Sequence, residues 1–157
     1  MRNIAIYKAT LDNEEIDQLK SVLQAKDDLS KVLEFEEKMV KYIGAKYAIA
    51  TATSTAALHL ALSSMRLKRG DKVLMSVNSF VNLPETVRHF DAEPIFVDIN
   101  LEDMNLDIEK FEEAIIANKS KKLRAAIITF IGGLAPNLDK IYEIGKKYNI
   151  LIIEDCR

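Results

Sequence analysis

The sequence holds one cysteine, Cys156. A single thiol forms no internal disulfide, which points to a reducing compartment such as the cytoplasm. Net charge is nearly absent: 22 Lys and Arg stand against 24 Asp and Glu, a formal balance of −2. No basic field favours nucleic acid, and the small acidic excess selects no partner. Long apolar runs are missing too. The longest, AAIITFIGGLA, falls far short of the roughly 20 residues that a spanning helix needs, so no membrane partner is expected. The opening MRNIAIYKATLDNEE lacks an apolar segment followed by a small-residue cleavage site, and no leader is expected. Two histidines and one cysteine at wide separations suggest no metal site. Neither G-x-G-x-x-G nor G-x-x-x-x-G-K-[ST] occurs, which removes the two common nucleotide loops. There is no internal repeat, no low-complexity segment and no linker rich in Gly or Ser.

What is present is a folding pattern. Of 157 residues, 48% are hydrophobic, enough to bury a core. Residues 12–24 place Ile16, Leu19, Val22 and Leu23 on one helical face, with acids in the first turn. A second helix is predicted over 33–43, ending near Gly44. From there the rhythm becomes β-α repeated. Strands are predicted at 47–51, 72–77, 94–99, 125–131 and 150–155. Helices are predicted at 54–67, 80–90, 107–117 and 138–148, with Pro84 limiting where the second of these starts and Asp107 or its predecessor capping the third. The middle and late strands are apolar without alternation. That is the mark of a mainly parallel sheet covered on both faces, a three-layer α/β/α sandwich. Residues 1–45 read as an N-terminal helical segment and 46–157 as the α/β domain.

One stretch raises a chemical question. Thr51, Thr53, Ser54 and Thr55 cluster between a predicted strand and a predicted helix. Capping accounts for them in part: Thr53 or Ser54 can satisfy orphan N–H groups, worth about 1 kcal/mol. The other reading is anion binding, because a helix N-terminus offers N–H donors and partial positive charge to a phosphate. In an open α/β sheet, ligands lie beyond the carboxyl ends of the strands. Residues 51–55, 77–80 and 154–155 fall at those ends. The last strand finishes in two acids, IIED. A carboxylate there could hold a protonated ring nitrogen. With the hydroxyl turn and the aromatic Phe80, the set fits a pyridoxal phosphate cradle.

The stretches EFEEKMVKYIGAKYAIATATSTAALHLALSSM, RGDKVLMSVNSFV, AEPIFVDINLEDMNLD and LIIED resemble the sugar aminotransferases of the DegT family. Those are pyridoxal-phosphate enzymes of fold type I. They move an amino group, usually from glutamate, onto a nucleotide-linked keto-sugar, in pathways such as cell-surface polysaccharide biosynthesis. The resemblance implies that Ser54 and Thr55 contact the cofactor phosphate, that Phe80 stacks on the pyridine ring and that Asp155 pairs with the ring nitrogen. It implies a homodimer or self-association, with a nucleotide-sugar and an amino-acid donor as small-molecule partners. Ser54 stands where the family usually has Gly, Phe130 near a position where many members carry His, and GGLAPN at 132–137 departs from the usual loop.

A full member is more than twice as long. The resemblance therefore implies that the Schiff-base lysine and the small C-terminal domain lie beyond residue 157. No lysine present is assigned a catalytic role, and the chain alone is expected to be inactive. It would be the N-terminal part of such an enzyme, holding an incomplete large domain. A non-catalytic module that binds a phosphorylated ligand or a partner chain is the alternative. The family's topology also implies that strand 47–51 lacks its neighbours here. His59 reads as a packing residue, His89 as solvated and Cys156 as an ordinary small residue.

Overall fold

A computed structural model describes residues 8–25 and 30–156. Residues 1–7, within the stretch read for a leader, lie outside the described residues. The chain divides into two compact units, residues 1–50 and 51–157.

The first unit contains α1 (Asn13–Ala25) and α2 (Ser30–Ile43). Asp12 and Glu15 start α1 as a capping box. Asp12 Oδ1 accepts the Glu14 N–H at 2.8 Å, and Glu15 Oε2 accepts the Asp12 N–H at 2.7 Å. Lys31 Nζ donates to Gln18 Oε1 across the two helices at 3.2 Å. No described residue of either helix is buried.

The second unit is the α/β sandwich. In chain order it runs α3 (Ser54–Ser64), β1 (Lys72–Ser76), α4 (Asn82–Arg88), β2 (Glu93–Val97), α5 (Ile108–Ala117), β3 (Leu123–Thr129), α6 (Leu138–Tyr148) and β4 (Leu151–Asp155). The four strands form one sheet in the order β2-β1-β3-β4, and every pairing is parallel. Alternation along each strand sends side chains to opposite faces. Val73, Met75, Ala125 and Ile127 pack with Leu58, Leu62, Leu83 and Val87 of α3 and α4. Leu74, Ala126 and Ile128 pack with Phe111, Ile115, Ile141 and Ile144 of α5 and α6. Both faces are therefore helix-covered, which is why β1 and β3 read as continuous apolar runs.

Local signals set the element ends. Asp107 caps α5, its Oδ1 accepting the Glu109 and Lys110 N–H groups at 2.9 and 3.0 Å. Asn137 caps α6. Asn149 ends it in the left-handed region at φ 57°, which turns the chain straight into β4. A Cβ at Gly145 would stand 3.0 Å from Ile152 Cγ1, so glycine lets α6 lie close on β4. Pro84 sits in the first turn of α4, where no intrahelical N–H is lost. At the amino end of the sheet, Asp71 is 2% exposed. It accepts the Lys68 N–H at 2.9 Å and meets Arg124 Nη1 at 3.2 Å and Lys122 Nζ at 3.4 Å. No helix among the described residues is long and apolar enough to cross a membrane.

One predicted strand is not there. Residues 47–51 have no ladder partner among the described residues, and Ile49 is 76% exposed. The Ala50 N–H is taken instead by Glu36 Oε1 at 2.7 Å. A single strand has no stability of its own, because its hydrogen bonds lie between strands. The apolar composition at 47–51 was sufficient for the prediction, but the pairing is missing. Hydrogen exchange should show this difference. Tyr47 to Ile49 should exchange within about tenfold of the unstructured rate, while Ala125 to Ile128 should be the slowest amides. Equal protection of the two segments would contradict the assignment.

Candidate functional site

The four hydroxyl residues at 51–55 divide into two pairs. Thr51 Oγ1 donates to the Thr53 carbonyl at 2.9 Å. Thr53 is extended, at φ −150° and ψ 158°, and its Oγ1 accepts the Ala56 N–H at 3.1 Å. Of the two capping candidates, Thr53 is therefore the cap. Ser54 and Thr55 form the first turn of α3, where N–H groups point out of the helix end. The Thr53 cap bond thus goes to the Ala56 N–H and not to Ser54 or Thr55.

Thr55 Oγ1 accepts a hydrogen bond from Asn82 Nδ2 at 3.0 Å. Asn82 opens α4 and is 8% exposed, and its carbonyl accepts the Thr86 hydroxyl at 2.6 Å. The turn before it is held by Ser76. The Ser76 hydroxyl oxygen accepts the Asn78 N–H at 3.1 Å, and its carbonyl accepts the Ser79 hydroxyl at 2.9 Å. Phe80 follows, with 64% of its surface exposed, and its carbonyl accepts the Leu83 N–H at 3.0 Å.

At the end of β4 the two acids part company. Asp155 shares a strand face with Ile153, which packs on the α3 side. Glu154 shares the opposite face with Ile152. There the Tyr142 hydroxyl of α6 donates to Glu154. This bond, with lesser help from desolvation and the Glu154 charge, pushes the Tyr142 hydroxyl up to about 12. Asp155 instead neighbours Thr129 in the β3–β4 register, and the Thr129 hydroxyl lies 3.4 Å from Asp155 Oδ2. The Asp155 carbonyl accepts the Phe130 N–H at 3.0 Å. Desolvation and the nearby carboxylates push the Cys156 thiol up, the reverse of an activated nucleophile.

The loop after β3 is fixed from below by Asn105, which is fully buried. Its Nδ2 donates to the Leu134 carbonyl at 3.1 Å and its Oδ1 accepts the Ile131 N–H at 3.2 Å. Gly132 and Gly133 lie at φ 62° and 79°, a conformation that favours glycine.

Of the four sequence-predicted site residues, Ser54 and Asp155 line one cavity of about 320 Å³, with α3 on one wall and the end of β4 on the other. Thr55 lies next to Ser54 but turns to Asn82, and Phe80 follows the carboxyl end of β1. Neither Thr55 nor Phe80 lines that cavity. All four stand at the carboxyl ends of the strands. Sequence reasoning missed Asn82, Thr129 and Asn105. A polar residue between two apolar neighbours is a weak signal for the first and third. Nothing but the strand register could identify Thr129. His59 is exposed, and its ring centroid lies 4.7 Å from that of Phe90.

Comparison with known proteins adds a family. The model described as the DegT/DnrJ/EryC1/StrS aminotransferase family matches residues 9–157. The spore coat polysaccharide biosynthesis protein SpsC of Bacillus subtilis is 32% identical over 126 residues, covering 80% of this chain and 31% of that protein. GDP-perosamine synthase of Caulobacter vibrioides is 35% identical over 125 residues, covering 80% of this chain and 33% of that protein. The solved structure of E. coli GDP-4-keto-6-deoxy-D-mannose-3-dehydratase with bound hydrated PLP superposes at a TM-score of 0.87 with 26% identity, covering 99% of this chain and 41% of that one. The chain thus spans about a third of the length of these two curated relatives.

Two measurements test the local geometry. Thr53→Ala should destabilise the α/β unit by about 1 kcal/mol in a denaturant titration, because the Ala56 N–H loses its acceptor. An absorbance titration should find Tyr142 ionising near pH 12, and Glu154→Gln should bring it down. Because the folded value is raised, the stabilisation from this pair is complete below pH 10 and is lost as pH climbs through about 12.

Proposed function

The chain belongs to the DegT/DnrJ/EryC1/StrS aminotransferase family, and from that membership we propose that it forms the cofactor-holding part of a pyridoxal-phosphate-dependent sugar aminotransferase. The substrate class is a nucleotide-linked keto-sugar, and the amino donor is an amino acid such as glutamate. The observation that carries this reading is the cavity that Ser54 and Asp155 line together at the carboxyl ends of a parallel sheet.

The residues fit the cofactor. A cavity of about 320 Å³ is at the lower end of the range for small-ligand sites. Ser54 at the start of α3 and the strand-end carboxylate of Asp155 line it, and Thr55 and the exposed ring of Phe80 stand outside it at the same end of the sheet. Ser54 and Thr55 would hold the phosphate through first-turn N–H groups and the Thr55 hydroxyl. Phe80 would cover one ring face and exclude water from it. Asp155 would accept a hydrogen bond from the pyridine nitrogen and keep the proton on it, since an opposite charge in contact favours the charged form of both groups. The Thr129 hydroxyl stands 3.4 Å from that carboxylate. When bound, the protonated pyridine ring supplies an electron sink for breaking a bond at the substrate carbon.

A second reading has one observation behind it. The superposed E. coli protein is named a dehydratase of a GDP-linked keto-sugar. Dehydration would call on the same cradle and the same substrate class. We assign no catalytic residue among the lysines present. Self-association of the chain belongs to the same proposal, supported by β2 and β4 each pairing on one side only.

Titration of the chain with pyridoxal 5′-phosphate, followed by ³¹P NMR, tests the cradle. Saturable binding is expected. Thr55→Val and Asp155→Ala should each weaken it about tenfold, the size of one hydrogen bond to a charged group. Lys121→Ala, at the other end of the sheet, should leave it unchanged. Absence of saturable binding, or equal loss in all three variants, would overturn the reading.

A further inference from the structure

We propose that Asn82 is a positioning residue that aims the Thr55 hydroxyl proton at the phosphate and fixes the spacing between that anchor and Phe80. The inference rests on the cradle reading above and extends it to a residue outside the cavity.

A threonine hydroxyl carries one proton and two acceptor lone pairs. Asn82 Nδ2 already donates to Thr55 Oγ1 at 3.0 Å. That bond occupies a lone pair and leaves the proton for another acceptor. Asn82 is 8% exposed whereas Thr55 is exposed, so the donor is held in place by its surroundings while the hydroxyl stays open to an incoming ligand. Thr55 thus meets an anion with its donor already oriented, and less rotational freedom is lost on binding.

The same residue joins two elements. Thr55 is in the first turn of α3, and Asn82 is the first residue of α4. Phe80 is two positions earlier, and its carbonyl accepts the Leu83 N–H at 3.0 Å, closing the turn that presents its ring. The Thr86 hydroxyl, 2.6 Å from the Asn82 carbonyl, pins the backbone at that point. One carboxamide therefore ties the phosphate end of the cradle to its aromatic wall. Were the carboxamide turned the other way, Thr55 would donate to Asn82 and have no proton left for phosphate.

The test is a double-mutant cycle, read by ³¹P NMR with three probes: pyridoxal 5′-phosphate, inorganic phosphate and pyridoxal, which lacks the phosphate and is followed by absorbance. Asn82→Ala should weaken both phosphate-bearing probes about three- to tenfold, the size of one neutral hydrogen bond, and leave pyridoxal unchanged. In a Thr55→Val background the same substitution should have no further effect. Equal losses with and without Thr55, or an equal loss for pyridoxal, would mean a merely structural role and overturn the proposal. Asn82→Asp keeps the shape but only accepts, so it should weaken phosphate binding at least as much as Ala; binding as in the wild type would overturn the proposal even if Asn82→Ala fails to fold. If the wild-type chain binds neither phosphate-bearing probe, the cradle reading itself fails. If it binds both and Asn82→Ala is indifferent, only this inference does.

Discussion

The whole arrangement depends on the parallel pairing of β3 with its two neighbours. β3 is the longest strand, lies between β1 and β4, and is buried on both faces. Its register with β4 sets Thr129 beside Asp155, and its register with β1 aligns the tips from which the Phe80 turn departs. Because the pairings are parallel, every strand delivers its last residue to one edge. Residues far apart in sequence thereby reach the same edge of the sheet.

Within that frame, neighbouring residues are separated by periodicity. Glu154 and Asp155 differ by one position and so face opposite sides of the sheet. One is bound to a tyrosine of α6 and the other stands beside Thr129, although both border the cavity. The hydroxyl cluster is sorted in a similar way by its position at a helix start. Thr51 and Thr53 shape the cap, and Ser54 and Thr55 stand in the turn that faces outward. Similar side chains thus acquire unlike tasks from a shift of one or two residues.

Much of this was legible in the sequence. The span of α6 and the Asp107 cap follow from turn chemistry and apolar spacing, and the structure matches both. The parallel sandwich follows from unalternating apolar strands. The segment 47–51 shows the limit. Its composition is that of a strand, but a strand is a relation between two segments, and composition reports only one. Asn82 and Thr129 were illegible for the same reason. Each matters because of what lies across from it, and pairing across helices or strands is not written locally. The opposite fates of Glu154 and Asp155 needed only alternation, but which face met α3 required the fold.

The buried carboxylate of Asp71 has a mechanical consequence. It gathers a main-chain N–H, a guanidinium and an ammonium at the amino end of the sheet, remote from the crevice. It therefore rivets the turn that leads into β1 to the start of β3, and loss of either cation would leave a buried charge partly uncompensated.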